Sequence, residues 1–243
     1  MSVFMNISVK CVVIIPFVNN YQTNQITNFE ESYTMSQSDV KNKKLLFIVI
    51  VGLMTALVFA GNYMSFQIGT QSRIHLGNSM CLLSGLMFGP LVGGLSSGLG
   101  GAIYDLTNPL YIASAPITFC TKFAMGFVSG LLVKVLSGKG KEHILGGRNL
   151  YGILIGAVCG QITYIVLYLG KSLVSNLLLG EPFKAALLAL STKAVASCTN
   201  GILAVIISVP LSIALAASLK STQAGKYLVF SPSRNTRTKT AEN

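Results

Sequence analysis

Tryptophan is absent from this 243-residue chain, and acidic side chains are scarce: seven Asp and Glu stand against eighteen Lys and Arg. Charged residues make up only 10% of the sequence, whereas soluble domains carry about a quarter. No two carboxylates are placed for acid–base work, and no HExxH pattern offers a zinc hydrolase site. The five cysteines, Cys11, Cys81, Cys120, Cys159 and Cys198, stand singly, without the paired spacing of a metal centre or a disulfide framework. Gly170-Lys171-Ser172 resembles the end of a phosphate-binding loop, but Ile165 occupies the place of its first glycine. The glycine-rich run from Gly93 to Gly101 fails dinucleotide-loop spacing because Ile103 stands at the third position. These absences point away from an enzyme, from a bound cofactor or metal, and from a protein that hydrolyses ATP itself.

What is present is apolar length. Half the chain is hydrophobic and the mean hydropathy is +0.63. Apolar runs recur at about the 20 residues that a helix needs to cross hydrocarbon. The expected class is an all-α polytopic membrane protein, with one membrane domain and no room for a soluble catalytic one. The net charge of +11 would suggest nucleic acid in a soluble protein; here it is loop charge, read as membrane orientation rather than nucleic-acid binding.

Six spans are expected within a membrane domain over residues 44–219. Span 1 covers Lys44 to Ile68, span 4 Pro116 to Leu136, span 5 Leu150 to Gly170, and span 6 Ala185 to Leu219 with a kink at Pro210. The 31 residues from Leu76 to Leu106 would make one helix of about 46 Å, too long for one crossing. Gly89-Pro90 divides them into two short legs, Leu76 to Phe88 and Leu91 to Leu106, with a re-entrant hairpin as the alternative. Residues 1–43 form an N-terminal extension, expected to be disordered. Met35 begins a plausible start, so residues 1–34 read as an upstream extension without a role in the fold. Residues 220–243 form a basic tail. With both termini cytoplasmic, twelve Lys and Arg of these segments fall inside, including the cluster Lys134, Lys139, Lys141 and Arg148, and three fall outside: Arg73, Lys171 and Lys184.

Small residues repeat every four positions: Gly52, Ala56 and Ala60 in span 1, Gly93, Ser97 and Gly101 in span 3, Gly126 and Gly130 in span 4, and Gly152, Gly156 and Gly160 in span 5. Such rows let helix backbones approach closely. In spans 3 to 5 they read as internal packing. The span 1 row suits either internal packing or an external partner helix.

Polar residues inside these spans are expensive and therefore informative. Thr118 and Lys122 lie four apart on one face of span 4. Gln161, Tyr164 and Tyr168 share a face of span 5, and Lys193, Ser197 and Asn200 a face of span 6. All fall between the midplane and the outer surface, while the inner halves of the same segments are nearly all apolar. Three polar faces at one depth predict a pocket open to one side. Lysines can donate to an anionic or electron-rich solute, amides and hydroxyls can donate and accept, and tyrosines can also stack on a flat ring. Asp105 suits either a salt bridge with Lys122 or Arg73, or ligand contact; Lys193 could instead snorkel to the outer surface. The loops Gly69 to Gly77 and Thr107 to Ala115 are placed to close over the site.

His75-Leu76-Gly77-Asn78, then Leu86 to Gly94 and Gly98 to Asp105, resemble the second and third helices of the substrate-binding S components of energy-coupling factor (ECF) transporters. Pro116-Ile117-Thr118-Phe119 with Lys122 and Gly126-Phe127 is similar to their fourth helix, and Ala56 to Ala60 to the AxxxA motif of their first. The resemblance covers residues 36–220. It implies a six-helix subunit of the bacterial cell membrane that captures a small water-soluble vitamin or precursor, akin to riboflavin, hydroxymethylpyrimidine or pyridoxine. It implies as partners a transmembrane coupling protein and two ATPase subunits, with Ala56 and Ala60 at the coupling interface and toppling of the subunit to deliver its solute. Asn78 joins the candidate site on this resemblance. A stand-alone secondary transporter and a non-transporting assembly or sensory protein stay open as alternatives.

Overall fold

The computed structural model describes residues 41–68, 72–109, 111–136, 147–180, 182–219, 222 and 228–229. Residues 1–40 of the expected extension, Lys139 and Lys141, and nearly all of the basic tail lie outside the described residues. The chain separates into Met1–Ile48, of which only the opening turns of α1 are described, and Val49–Asn243, which holds the helical bundle.

The described elements are α1 (Lys41–Tyr63), the strands β1 (Ser65–Ile68) and β2 (Ser72–His75), then α2 (Gly77–Phe88) and α3 (Pro90–Thr107). A 3-10 turn (Ile112–Ser114) leads into α4 (Ala115–Leu136), followed by α5 (Gly147–Leu178) and α6 (Phe183–Leu219). Helices α1, α5 and α6, and α4 with its leading turn, are long and apolar enough to cross a membrane. Their outward side chains are large and apolar, among them Leu53, Val135, Ile162, Val166, Leu188 and Ile202. Exposed aliphatic surface on this scale suits a bilayer as the surrounding solvent.

The centre of the bundle is α2. Every residue of it except Met80 is buried, with Leu82, Leu83, Leu86 and Met87 essentially inaccessible. A helix apolar on all sides belongs inside. The break between α2 and α3 falls at Gly89, whose φ of +86° is costly for any residue with a Cβ. Pro90 then opens α3 at a position where its missing N–H is no loss. Small residues let α3 press against α4. A Cβ on Gly94 would stand 2.9 Å from the ring of Phe123, and one on Gly98 the same distance from that of Phe119. The rings of Phe119, Phe123 and Phe127 stack along α4 with centroids 5.9 and 5.8 Å apart. Met125, Val133 and Ile153 complete the packed end of the bundle, and the backbone N–H of Val229 donates to the Met87 carbonyl there at 2.9 Å.

Several boundaries depart from the sequence reading, α1 and α5 each beginning three residues early, at Lys41 and Gly147. The last residues assigned to span 1 form β1, which pairs antiparallel with β2 from Ser65↔His75 to Ile68↔Ser72. The alternation in Ser65-Phe66-Gln67-Ile68 has the period of a strand, so the chain is all-α apart from this short hairpin. Span 5 continues to Leu178 instead of ending at Gly170, because Leu173, Val174, Leu177 and Leu178 sustain the helix beyond its glycine. Gly170 meets nothing within 4 Å and marks no turn. Helix α6 holds Pro210 inside one element, as expected, and begins two residues early, at Phe183.

Candidate functional site

The elements converge at the end of the bundle opposite the packed core. There the C-terminal ends of α1 and α3, the start of α4, the second half of α5 and the first half of α6 enclose a cavity of about 490 Å³. That volume falls within the range of small-molecule sites, about 300–1,000 Å³.

Lys122 is 3% exposed, and its ammonium donates to Asn62 Oδ1 at 2.6 Å. The amide nitrogen of Asn62 in turn donates to the Val58 carbonyl at 2.7 Å, fixing the orientation of the side chain. The aliphatic stem of Lys122 crosses Gly101 of α3, where any side chain would collide with Cδ. A buried ammonium needs such a partner, since burial of an unpaired charge is strongly unfavourable.

On α6, Asn200 Oδ1 accepts from the backbone N–H of His75 at 3.1 Å, joining β2 to α6 beside the cavity. Lys193 donates to Ser172 Oγ on α5 at 2.8 Å, and Ser197 lies between these two contacts on the same face. Lys193 therefore points into the cavity and not to the outer surface. On α5, Tyr164 and Tyr168 stack with ring centroids 5.7 Å apart and planes 15° from parallel, which gives the wall a flat aromatic surface. At the α3 end, Asp105 is 8% exposed and accepts from Ser114 Oγ at 3.2 Å.

The structure thus gathers Thr118, Lys122, Tyr164, Tyr168, Lys193, Ser197, Asn200 and Asp105 around one cavity. Gln161 and Asn78 do not line it. Both are buried behind the wall, and neither carboxamide has a hydrogen-bond partner. Gln161 lies against Gly201 of α6, at a level below Tyr164 where the helices close together. The side chain of Arg73, the alternative partner for Asp105, lies outside the described residues. His75, in the loop expected to cover the site, does line the cavity.

Several lining residues escaped the sequence reading. Asn62 sits at the end of α1, and Thr121 adjoins Lys122 on α4. Lys171, Ser172, Ser175 and Asn176 extend the α5 face of Tyr164 and Tyr168 by two further turns. The helical period of that face carried the signal; ending the helix at Gly170 hid it and assigned Lys171 to a loop. Among the described residues no cluster of His, Cys, Asp and Glu could hold a metal ion. The donor set is suited to binding a polar organic solute by hydrogen bonds, charge and stacking.

Comparison with known proteins bears on this arrangement. A solved structure of ThiT from Listeria monocytogenes superposes with a TM-score of 0.55 at 18% identity, covering 73% of this chain and 97% of that one. The likeness is one of fold. A structure of the S component of a bacterial ECF transporter gives a TM-score of 0.49 at 18% identity, covering 73% and 99% of the two chains. An uncharacterized protein of Pyrococcus woesei is 31% identical over 106 residues, which are 43% of this chain; the match spans 62% of that relative's length. The family model of the ECF-type riboflavin transporter S component matches residues 42–217, nearly the whole described bundle. This multi-pass membrane chain belongs to the ECF-type riboflavin transporter S component family.

Proposed function

We propose that this protein is the solute-capture subunit of an ATP-driven vitamin importer, and that its solute is a flat-ring, water-soluble vitamin of the riboflavin type. The observation that carries this reading is the cavity itself. It combines a buried lysine–asparagine pair, a stacked tyrosine wall and an edge of amides and hydroxyls at one end of an otherwise apolar bundle. A ring can lie on the Tyr164–Tyr168 surface while Lys122, Ser197 and Asn200 meet its polar edge. The packed end formed by Leu86, Met87 and Val133 offers no route through the subunit, which supports release by movement of the whole subunit rather than by conduction.

In this reading α2 and α3 complete six spans, and both termini are cytoplasmic. Assigning Lys171 to the cavity supports that orientation, because it leaves only Arg73 and Lys184 as outer-loop cations. The membrane is the bacterial cell membrane. The partners are a transmembrane coupling protein and two ATPase subunits. Gly52, Ala56 and Ala60 form an exposed small-residue row on α1, with nothing within 4 Å of a Cβ placed on Gly52. Meanwhile Met54 and Val58 on the other side of α1 pack inward. An unoccupied row of this kind is suited to a close-approaching partner helix.

The test is titration of the purified chain with riboflavin, followed by quenching of the flavin's own fluorescence. Saturable one-to-one binding that is weakened in Lys122→Ala supports the assignment. No binding of riboflavin, pyridoxine or hydroxymethylpyrimidine would overturn it.

A further inference from the structure

Beyond the ring-binding end, the cavity has a second polar end that the α5 extension brings into view. Lys193 donates to Ser172 Oγ at 2.8 Å, which leaves the hydroxyl proton of Ser172 and two N–H groups of Lys193 to donate elsewhere. Lys171 and Lys193 both line this end of the cavity, and Lys171 lies within electrostatic reach of Asp105 first and of Lys193 second. Ser172 and Asn176 beside them are 7% and 9% exposed. Among the described lining residues three lysines stand against one carboxylate, Asp105, which accepts from Ser114 Oγ and offsets part of the charge of Lys171. The apolar lipid-side face of this part of α5 carries Val166, Leu167 and Val174, whereas Lys171 belongs to its cavity face.

We propose that this end is an anion subsite, which takes a terminal phosphate monoester on a ring-bearing solute. Lys171 and Lys193 supply the charge, and Ser172 and Asn176 supply neutral donors. The inference rests on the vitamin-capture reading and narrows its solute class. A wall of donors with paired ammonium groups is the complement of a dianion with three acceptor oxygens. The spacing also fits. Lys193 precedes Asn200 by seven residues on α6, and Lys171 follows Tyr164 by seven on α5, about 10 Å along each helix at ~1.5 Å per residue. A planar ring carrying a short hydroxylated chain that ends in phosphate spans that distance, so the phosphorylated form of a riboflavin-type vitamin satisfies both ends.

The experiment is a paired titration of the full chain in detergent: riboflavin against flavin mononucleotide, and pyridoxal against pyridoxal 5′-phosphate. The phosphorylated member of the binding pair is expected to bind at least about tenfold tighter at low salt, with the advantage shrinking as salt screens the lysines. In Lys171→Gln/Lys193→Gln the ratio of the two affinities should fall to about one, whatever happens to the affinity of the unphosphorylated member, and an unchanged ratio overturns the subsite. The helical circular dichroism and melting temperature of the variant report whether it is folded. Equal or weaker binding of the phosphorylated member to the unaltered protein overturns the subsite and leaves vitamin capture standing. Failure of every compound overturns both. If phosphatidylglycerol added to the micelles abolishes the advantage, the subsite serves a lipid headgroup and the solute assignment is overturned.

Discussion

At the scale of single residues, the site is held by polar groups whose burial only partners can offset. Lys122 illustrates this: Asn62 and the bare backbone at Gly101 together make room for its stem and its charge. Lys122→Ala is expected to weaken solute binding by about 10- to 100-fold, the worth of a hydrogen bond to a charged group, without unfolding the bundle. Isothermal titration of the purified variant checks this, and unchanged affinity would remove Lys122 from the site. Gln161 and Asn78 present the reverse case, since their carboxamides are buried without partners. An unmet buried polar group costs about 1–3 kcal/mol, so Gln161→Leu should raise the melting temperature of the solute-free protein. A lowered melting temperature would show that the amide has a partner in the empty state. Lys122 was legible in the sequence because a lysine within apolar residues has few uses. Asn62 was not: an asparagine at a helix end reads as a cap, and only the fold brings it to a lysine sixty positions away.

At the scale of elements, the helix-breaking signals were read with mixed success, for a physical reason. Gly89 ends a helix because its φ of +86° excludes a side chain, and the sequence marks it by the proline that follows. Gly170 carries no such mark and sits inside α5 in open space. Taking it for an end cost the reading two turns of the cavity wall. The β-hairpin was missed because its four-residue strands follow directly on an apolar helix, where the change from a period near four to a period of two spans too few residues to stand out. Gly89→Ala should destabilise the protein by about 1–3 kcal/mol, because a φ of +86° with a ψ of −172° is a backbone that essentially only glycine adopts, seen as a lower melting temperature with solute affinity retained. On α1, the outward row of small residues predicts a different separation of effects. Ala56→Leu should leave solute binding unchanged and impair co-purification with the coupling protein, and retained uptake by cells carrying this variant would count against that interface.

At the scale of the whole molecule, polarity is divided lengthwise. One end of the bundle gathers lysines, amides and tyrosines around a cavity, and the other is filled by leucine, methionine and valine. The sequence made this division readable, because polar faces on three segments fell at one depth and the remaining halves were apolar. It could not show which polar residues reach the cavity, since that depends on helix rotation, and Gln161 lies one turn too far toward the packed end. The division also gives the orientation a direct test. A single cysteine at Lys184 should react with an impermeant maleimide in intact cells, and one at Lys134 only after permeabilisation. The reverse pattern would invert the topology.

The measurement that bears most directly on capture is mass spectrometry of small molecules released from the gently purified protein. A ring-bearing vitamin or its phosphate, present in one-to-one amount and missing from Lys122→Ala, is the expected result. An empty protein that also binds none of the riboflavin-, pyridoxine- or pyrimidine-type compounds would contradict the capture role and leave the cavity without a solute.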